Sequence, residues 1–296
     1  EEVHQRLQAV AQTTGVPAAV LSDGGTDLKR GMELFHDDHP EVQHVLDLKH
    51  THALLLKREL EKDLRWGSFV TNANRTKLGV TQTTLAFLNP PGLKTKARYM
   101  NLDSLVSWGM QALAYLDHPR DFPGQKIDRK KLRAKLGWLR RYRRALGRWS
   151  ELLSLVKTVE AHVHREGLYP GIRETLKKQL QPLVRTAAGR RFQNAQLRFL
   201  AEQSRPLAPG RRMIGSTEVL ESIIGKYKRL QSTHSKGGMT AMLLGVGAIV
   251  GKKSAVTIAQ ALQTIRTQDV VAWCRNALGP TILSQRRLAL GVTKPG

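Results

Sequence analysis

The first 49 residues alternate between helix-like and strand-like patterns of apolar positions. Residues 1–13 have apolar positions at helical spacing, and residues 28–35 show a second helical stripe that Thr26 or Asp27 can cap. Residues 18–21 and 42–48 are short apolar runs typical of buried strands. Because strands that are separated by a helix usually pair in parallel, residues 1–49 predict part of an α/β sheet.

Helical spacing dominates the rest of the chain. Predicted helices cover residues 52–64, 103–116, 130–164, 172–183 and 190–203, with Pro/Gly-rich stretches between several of them. One more helix is predicted within residues 210–231, and a helical tail within residues 232–296. We therefore predict a mostly helical chain of four segments: 1–49, an all-α insertion over 50–209, then 210–231 and 232–296.

The charge balance indicates a polyanionic partner. The chain has 48 Lys and Arg against 24 Asp and Glu, a net charge of +24, which favours nucleic acid over other partners. A basic ribosomal or chromatin-type protein and a membrane-surface protein are the alternatives. The single cysteine excludes an intramolecular disulfide framework, and the longest apolar run, 239–250, is too short to cross a bilayer. We expect a cytoplasmic protein, nucleoid-associated in a bacterium, with no membrane partner.

The densest basic segment is residues 120–149, which contain 12 Lys and Arg against two Asp. Trp138, Tyr142 and Trp149 are interleaved at helical spacing, which favours core anchors over base-stacking platforms. The usual alternative for such a charge run is a solvated helix face. The predicted DNA-binding residues are Lys130, Lys131, Arg133, Lys135, Arg140, Arg141, Arg143, Arg144 and Arg148.

Two acidic positions are candidates for metal chemistry. Asp23 follows a predicted strand and precedes Gly24-Gly25, where α/β sheets place their sites; its alternative role is a helix cap. Within 210–231, Glu218 and Glu221 share a helix face, and Lys228 lies two turns beyond Glu221. A solvated surface stripe is the alternative for this face.

The order of these features resembles the RNase H-like catalytic domain of DDE-type transposases. Strand, Asp-Gly-Gly, helix, strand, long helical insertion and Glu-bearing helix occur in this order in insertion-sequence transposases and in the hAT and Mutator groups. The resemblance implies that Asp23 and Glu221 are two of three acids that hold Mg²⁺ or Mn²⁺, with Asp27 and Lys228 in support. The Tyr and Arg expected before the Glu are Ile214 and Thr217, so Glu218 stays an alternative to Glu221.

Residues 47–50 resemble the Cys-x-x-His element at the start of the insertion in hAT and Mutator transposases. Asp47 would replace the cysteine and His50 would match the histidine. The alternative is that His50 and His52 are helix N-terminal histidines without a metal. The resemblance covers residues 1–50 and 210–231 at motif level, and the insertion only by class and length.

The function that the resemblance implies is DNA transposition. Metal-dependent phosphodiester cleavage and strand transfer at transposon ends require carboxylates that clamp two ions about 4 Å apart. The first aspartate is expected on strands upstream of Glu1, so the chain is expected to be a fragment, and its parent to act as a homo-oligomer. The alternative is a non-catalytic basic nucleic-acid-binding protein, a decayed or domesticated transposase.

Overall fold

A computed structural model describes residues 1–92, 102–121, 126–233 and 254–278 of the chain. The chain divides into two compact units, residues 1–217 and 218–296. The described part is mostly helical with one small sheet, which confirms the prediction of a mostly helical chain.

The N-terminal part of the first unit follows the predicted order of helix, strand, helix and strand. Its elements are α1 (Glu2–Thr14), β1 (Ala19–Ser22), α2 (Thr26–Asp38) and β2 (Gln43–Leu46). The two strands pair in parallel, with Ala19 opposite Gln43 and Ser22 opposite Leu46. A small core of Ala11, Met32, Phe35 and Val42 joins α1 and α2 to this sheet. The predicted parallel pairing is therefore confirmed.

Seven further α-helices lie in the described part of the first unit: α3 (Leu48–Glu61), α4 (Leu64–Val80), α5 (Leu102–Asp117), α6 (Arg129–Leu136), α7 (Arg143–Glu166), α8 (Ile172–Leu180) and α9 (Ala187–Ser204). Short 3₁₀ helices lie at Ala86–Leu88, Gly137–Tyr142 and Gln181–Leu183. α7 is the centre of this bundle, because α3, α5, α8 and α9 all pack against it. Its apolar positions recur every three or four residues, and those from Ala145 to Val163 are buried in the main core.

Two predictions for this bundle were wrong. The sequence predicts one helix over 130–164, but the backbone tightens to a 3₁₀ helix between α6 and α7. Leu136, Leu139 and Tyr142 are spaced by three residues and are all buried, which is the repeat that a 3₁₀ turn brings to one side. The sequence prediction also omitted α4, whose buried stripe includes the polar Thr76 among its apolar residues.

The second unit contains α10 (Glu218–Thr233), α11 (Ala255–Thr264) and α12 (Thr267–Leu278). The helix predicted within 210–231 thus begins only at Glu218. Residues 211–217 before it are not helical, and Met213 pairs with Leu168 through backbone hydrogen bonds of 2.7 and 2.9 Å. Among the described helices, none is long and apolar enough to cross a membrane.

Candidate nucleic-acid interface and sheet-edge acids

The basic segment has one buried side and one exposed side. Leu132, Leu136 and Leu139 are almost fully buried and anchor α6 and the following 3₁₀ turn to the core. The Asp128 carboxylate caps α6 by accepting from the Lys131 backbone N–H at 2.9 Å. Since the apolar side is held against the bundle, most of the Lys and Arg side chains of this segment project into solvent.

Three of the predicted DNA-binding arginines are held by acids. Arg143 donates to Asp117 at 2.5 Å, and Arg140 lies 3.6 Å from the same carboxylate. Arg148 donates to Asp63 at 2.7 Å. Hydrogen bonding from Arg143 lowers the pKa of Asp117, so the pairs stay ionised well below neutral pH. These three arginines therefore form ion pairs within the protein in addition to contributing positive charge at its surface.

The Asp63 carboxylate links α4 to α7. It caps α4 and also accepts from the Trp149 indole N–H at 3.1 Å. Burial by itself raises the pKa of Asp63, but hydrogen bonds from Arg148, the Arg65 backbone and Trp149 outweigh it and lower that pKa. Arg148 and Asp63 line a cleft of about 240 Å³, where Arg191 donates to Glu59 at 2.7 Å.

The other six cations have no acidic partner among the residues that the structure describes. We call them the unpaired basic set: Lys130, Lys131, Arg133, Lys135, Arg141 and Arg144. All but Lys131, which is half-buried, are exposed. The charge of this set is therefore available to a polyanion.

The three interleaved aromatic residues are core anchors, as predicted. Trp149 and Tyr142 are buried, and Trp138 is half-buried. The Trp138 indole N–H donates to Thr76 Oγ1 at 2.9 Å, and the Tyr142 hydroxyl donates to Ser68 Oγ at 2.9 Å. All three rings pack against Phe69 in the core, so their faces are used within the bundle and not as a platform for nucleic-acid bases.

Asp23 lies exposed at the carboxyl end of β1, as predicted. Its Oδ1 accepts from the Gly25 backbone N–H at 2.9 Å, and Gly24 adopts a positive φ of 73°. This turn starts the connection to α2. Asp27 lies in the first turn of α2, and its side chain is outside the described residues.

Asp47 lies at the carboxyl end of β2, one position beyond the Ser22–Leu46 pair, and it is buried. Its Oδ1 caps α3 by accepting from the His50 backbone N–H at 2.9 Å, with His50 Nδ1 at 3.2 Å. Its Oδ2 accepts from the Thr217 backbone N–H at 2.6 Å and hydroxyl at 2.8 Å. Although burial raises the pKa of Asp47, these hydrogen bonds outweigh it and hold that pKa below its usual value. These contacts indicate a structural role for the Asp47 carboxylate.

The two histidines near the start of α3 differ. His50 is half-buried beside Asp47, whereas His52 is almost fully buried. His52 Nδ1 lies 3.0 Å from a Glu160 carboxylate oxygen on α7, and its Nε2 lies 3.0 Å from Gln196 Nε2 on α9. His52 therefore joins three helices. Within the described residues, no group of three or more His, Cys, Asp or Glu is arranged to hold a metal ion.

Glu218, Glu221 and Lys228 are exposed residues of α10 in the second unit, whereas Asp23 belongs to the first. A shared metal site for Asp23 and Glu221 stays a prediction, as does the choice between Glu221 and Glu218. Within the first unit, Asp47 at the sheet edge accepts a hydrogen bond from the backbone N–H of Thr217, the residue before α10.

Sequence reasoning missed a serine–histidine contact on the sheet. Ser22 Oγ lies 2.8 Å from His44 Nε2, since the strand register places these residues diagonally across β1 and β2. Burial lowers the pKa of His44, which favours its neutral form. A spacing of 22 positions follows no motif, so only the strand register could have indicated the pair.

Comparisons with protein-family models, with characterised proteins and with solved structures found no match to this chain. The functional argument therefore depends on the residues and contacts described above.

Proposed function

We propose that this protein binds DNA through the unpaired basic set on α6, the adjoining 3₁₀ turn and the start of α7. The observation that carries the proposal is the separation of the cations into two groups. Arg140 and Arg143 share the Asp117 carboxylate and Arg148 pairs with Asp63, while six neighbouring cations have no acidic partner among the described residues. A protein that needed only solubility would not require so many uncompensated charges on one segment anchored to the core.

The strength of this binding should depend steeply on salt. Each DNA phosphate that a cation neutralises releases condensed counterions and contributes about −0.9 to the slope of log K against log salt. If all six members of the unpaired basic set contact phosphates, their part of the slope is about −5. Contacts to phosphates alone carry no sequence information, so this surface should bind duplexes of different sequence similarly.

The test compares two double variants that remove the same charge. Arg141→Ala/Arg144→Ala removes two unpaired cations, whereas Arg140→Ala/Arg143→Ala removes two that Asp117 holds. Fluorescence anisotropy of a labelled duplex across a salt series should show the slope reduced by about 2 in the first variant, with a clearly smaller change in the second. Equal changes in both variants, or no binding by the wild type, would refute the proposal.

A second candidate function is metal-dependent DNA strand cleavage and transfer by an RNase H-like transposase. The observation that favours it is the sheet edge: Asp23 and Asp47 follow adjacent parallel strands in register, which is where open α/β sheets place their sites. Carboxylate oxygens are the ligands that Mg²⁺ prefers. In this proposal Asp23 and Glu221, or Glu218, bind Mg²⁺ or Mn²⁺, and Asp47 positions the residue that precedes α10.

Binding of Mn²⁺, followed by electron paramagnetic resonance, tests this second candidate without requiring turnover. Asp23→Asn and Glu221→Gln should each weaken Mn²⁺ binding, while Asp37→Asn, at another exposed acid of the first unit, should not. A loss with Glu218→Gln in place of Glu221→Gln would change only the residue assignment. Unchanged Mn²⁺ binding in Asp23→Asn would leave a non-catalytic DNA-binding protein.

A further inference from the structure

Two proline–glycine turns in the first unit form a cleft that the DNA-binding proposal does not use. In residues 169–172 the last backbone N–H donates to the first carbonyl at 3.2 Å, and residues 208–211 close in the same way at 3.0 Å. The third residue of each turn is a glycine with a positive φ, 89° at Gly171 and 78° at Gly210. Proline followed by such a glycine is typical of a type II turn. The sequence therefore fixes the backbone of both turns.

A backbone bridge holds the two turns side by side. Leu168 and Met213, which flank them, exchange hydrogen bonds of 2.7 and 2.9 Å. The cleft between the turns has a volume of about 260 Å³, slightly less than the 300–1,000 Å³ or so of sites for drug-sized ligands. We call it the two-turn cleft, and its lining residues are Tyr169, Pro170, Pro209, Gly210, Arg211 and Arg212.

Arg212 is held in position and keeps free hydrogen-bond donors. Its Nη1 donates to the Glu166 carbonyl at 2.9 Å and to the Glu166 carboxylate. Its guanidinium carbon lies 5.3 Å from the centre of the Tyr169 ring. The Nε and Nη2 groups have no acceptor among the described residues. Because a guanidinium presents its N–H donors as a planar fork, this free edge matches two oxygens of a phosphate group.

The walls of the two-turn cleft are apolar rings. Tyr169 is half-buried, whereas Pro170 and Pro209 are exposed. The Tyr169 hydroxyl lies 2.9 Å from Nε2 of the buried His162, which holds the ring in place. Burial lowers the pKa of His162 and favours its neutral form. A flat apolar group that is attached to a phosphate, such as a nucleobase, can pack against these rings.

The charge around the cleft favours a doubly charged anion. Glu166 binds both Arg165, at 3.1 Å, and Arg212. Arg211 is exposed and has no acidic partner among the described residues. Three arginines and one glutamate give a local net charge of +2. A phosphate monoester has a charge of about −1.5 to −2 at neutral pH, whereas each phosphodiester within a DNA strand has a single charge.

We propose that the two-turn cleft binds the terminal phosphate of a nucleotide, either free or at the end of a DNA strand. Arg212 and Arg211 bind the phosphate oxygens, and the base packs against the rings of Tyr169 and the two prolines. Binding of a mononucleotide does not involve the unpaired basic set. Failure of this inference and failure of the DNA-binding proposal are therefore separately visible.

Isothermal titration calorimetry of the full chain with deoxyadenosine 5′-monophosphate, in a phosphate-free buffer, tests the inference. The wild type should bind this nucleotide and should not bind deoxyadenosine, which lacks the phosphate. Arg211→Ala and Arg212→Lys should each raise the Kd at least about tenfold, because each removes hydrogen bonds between charged groups. The matched control is Arg75→Ala, since Arg75 is an exposed arginine of α4; it should leave the Kd unchanged.

A single strand labelled at its 3′ end, with or without a 5′-phosphate, identifies the source of the phosphate. Tighter binding of the phosphorylated strand, lost in Arg211→Ala, assigns the cleft to DNA ends. Equal binding of both strands, with the mononucleotide still bound, assigns it to a free nucleotide.

Three results would overturn the inference. The first is that neither the mononucleotide nor the 5′-phosphate contributes to binding by the wild type. The second is that deoxyadenosine binds as tightly as its monophosphate, and the third is that Arg75→Ala weakens nucleotide binding as much as Arg211→Ala. Circular dichroism of each variant checks that its helix content is unchanged.

Discussion

Replacing Asp47 with alanine removes the acceptor of four hydrogen bonds from His50 and Thr217. The stability of this variant distinguishes a structural role of Asp47 from a metal-binding role. If Asp47 holds Thr217 and the start of α3, the variant loses stability whether or not a metal is present. If Asp47 were mainly a metal ligand, removal of a like-charged neighbour at the sheet edge would stabilise the metal-free protein.

The structure sets the size of the loss. Removing the α3 cap costs about 1 kcal/mol. Leaving the Thr217 backbone N–H without its acceptor costs about 1–3 kcal/mol more, because the group is partly buried. We therefore expect Asp47→Ala to lower the free energy of unfolding by about 2–4 kcal/mol. Asp128→Ala is the matched control, since Asp128 is exposed and its carboxylate caps α6 through one hydrogen bond; it should cost about 1 kcal/mol.

Urea unfolding followed by tryptophan fluorescence measures the difference. Four of the five tryptophans lie in the first unit, and a Trp273→Phe background removes the signal of the second. The variants should lower the urea concentration at the midpoint of unfolding and leave unchanged the slope of the unfolding free energy against urea concentration. A loss in Asp47→Ala no larger than that in Asp128→Ala would refute the role of the Thr217 contact.

The pH dependence follows from the lowered pKa of Asp47. A carboxyl group whose pKa is lower in the folded state stabilises the fold above its ordinary pKa, here 3.8, and loses that contribution as the pH falls through the folded value. The difference in free energy of unfolding between wild type and Asp47→Asn should therefore be largest at neutral pH and shrink below about pH 4. A difference that is constant down to acid pH would contradict the ionised state of Asp47.

Two further predictions concern close packing in the bundle. A Cβ at position 189 would overlap with Glu151 Oε1, so Gly189→Ala should lower the free energy of unfolding by about 1–3 kcal/mol in scanning calorimetry. A Cβ at position 147 would meet no atom within 4 Å, so Gly147→Ala should instead stabilise α7 by about 0.5–1 kcal/mol in the same measurement. Trp138→Phe removes the indole N–H that donates to Thr76 and should cost about 1 kcal/mol, and a melting temperature equal to that of the wild type would contradict this.

Local sequence patterns predicted much of the fold because helix and strand periodicity need only neighbouring residues. The alternation over residues 1–49 and the helices near residues 103–116, 172–183 and 190–203 agree with the structure. The failures lie where tertiary contacts decide. The predicted helix over 210–231 starts late, because Met213 is bound by the backbone of Leu168 and Thr217 by the side chain of Asp47.

The candidate sites were predictable as residue types but not as contacts. Asp23 follows a strand as expected, since strand ends can be inferred from composition. The role of Asp63 was not foreseeable, because Arg148 and Trp149 lie 85 and 86 positions away along the chain. The contact between Asp47 and Thr217 spans 170 positions. Long-range polar pairs of this kind have no periodic signal in a single sequence.

The acid partners also change how the net charge should be interpreted. A count of Lys and Arg in residues 120–149 suggests twelve phosphate contacts, but Asp117 and Asp63 already hold Arg140, Arg143 and Arg148. The carboxylate beside a paired arginine offsets part of its positive charge, so that arginine attracts a phosphate less than an unpaired cation does. The affinity for DNA should therefore follow the number of unpaired cations.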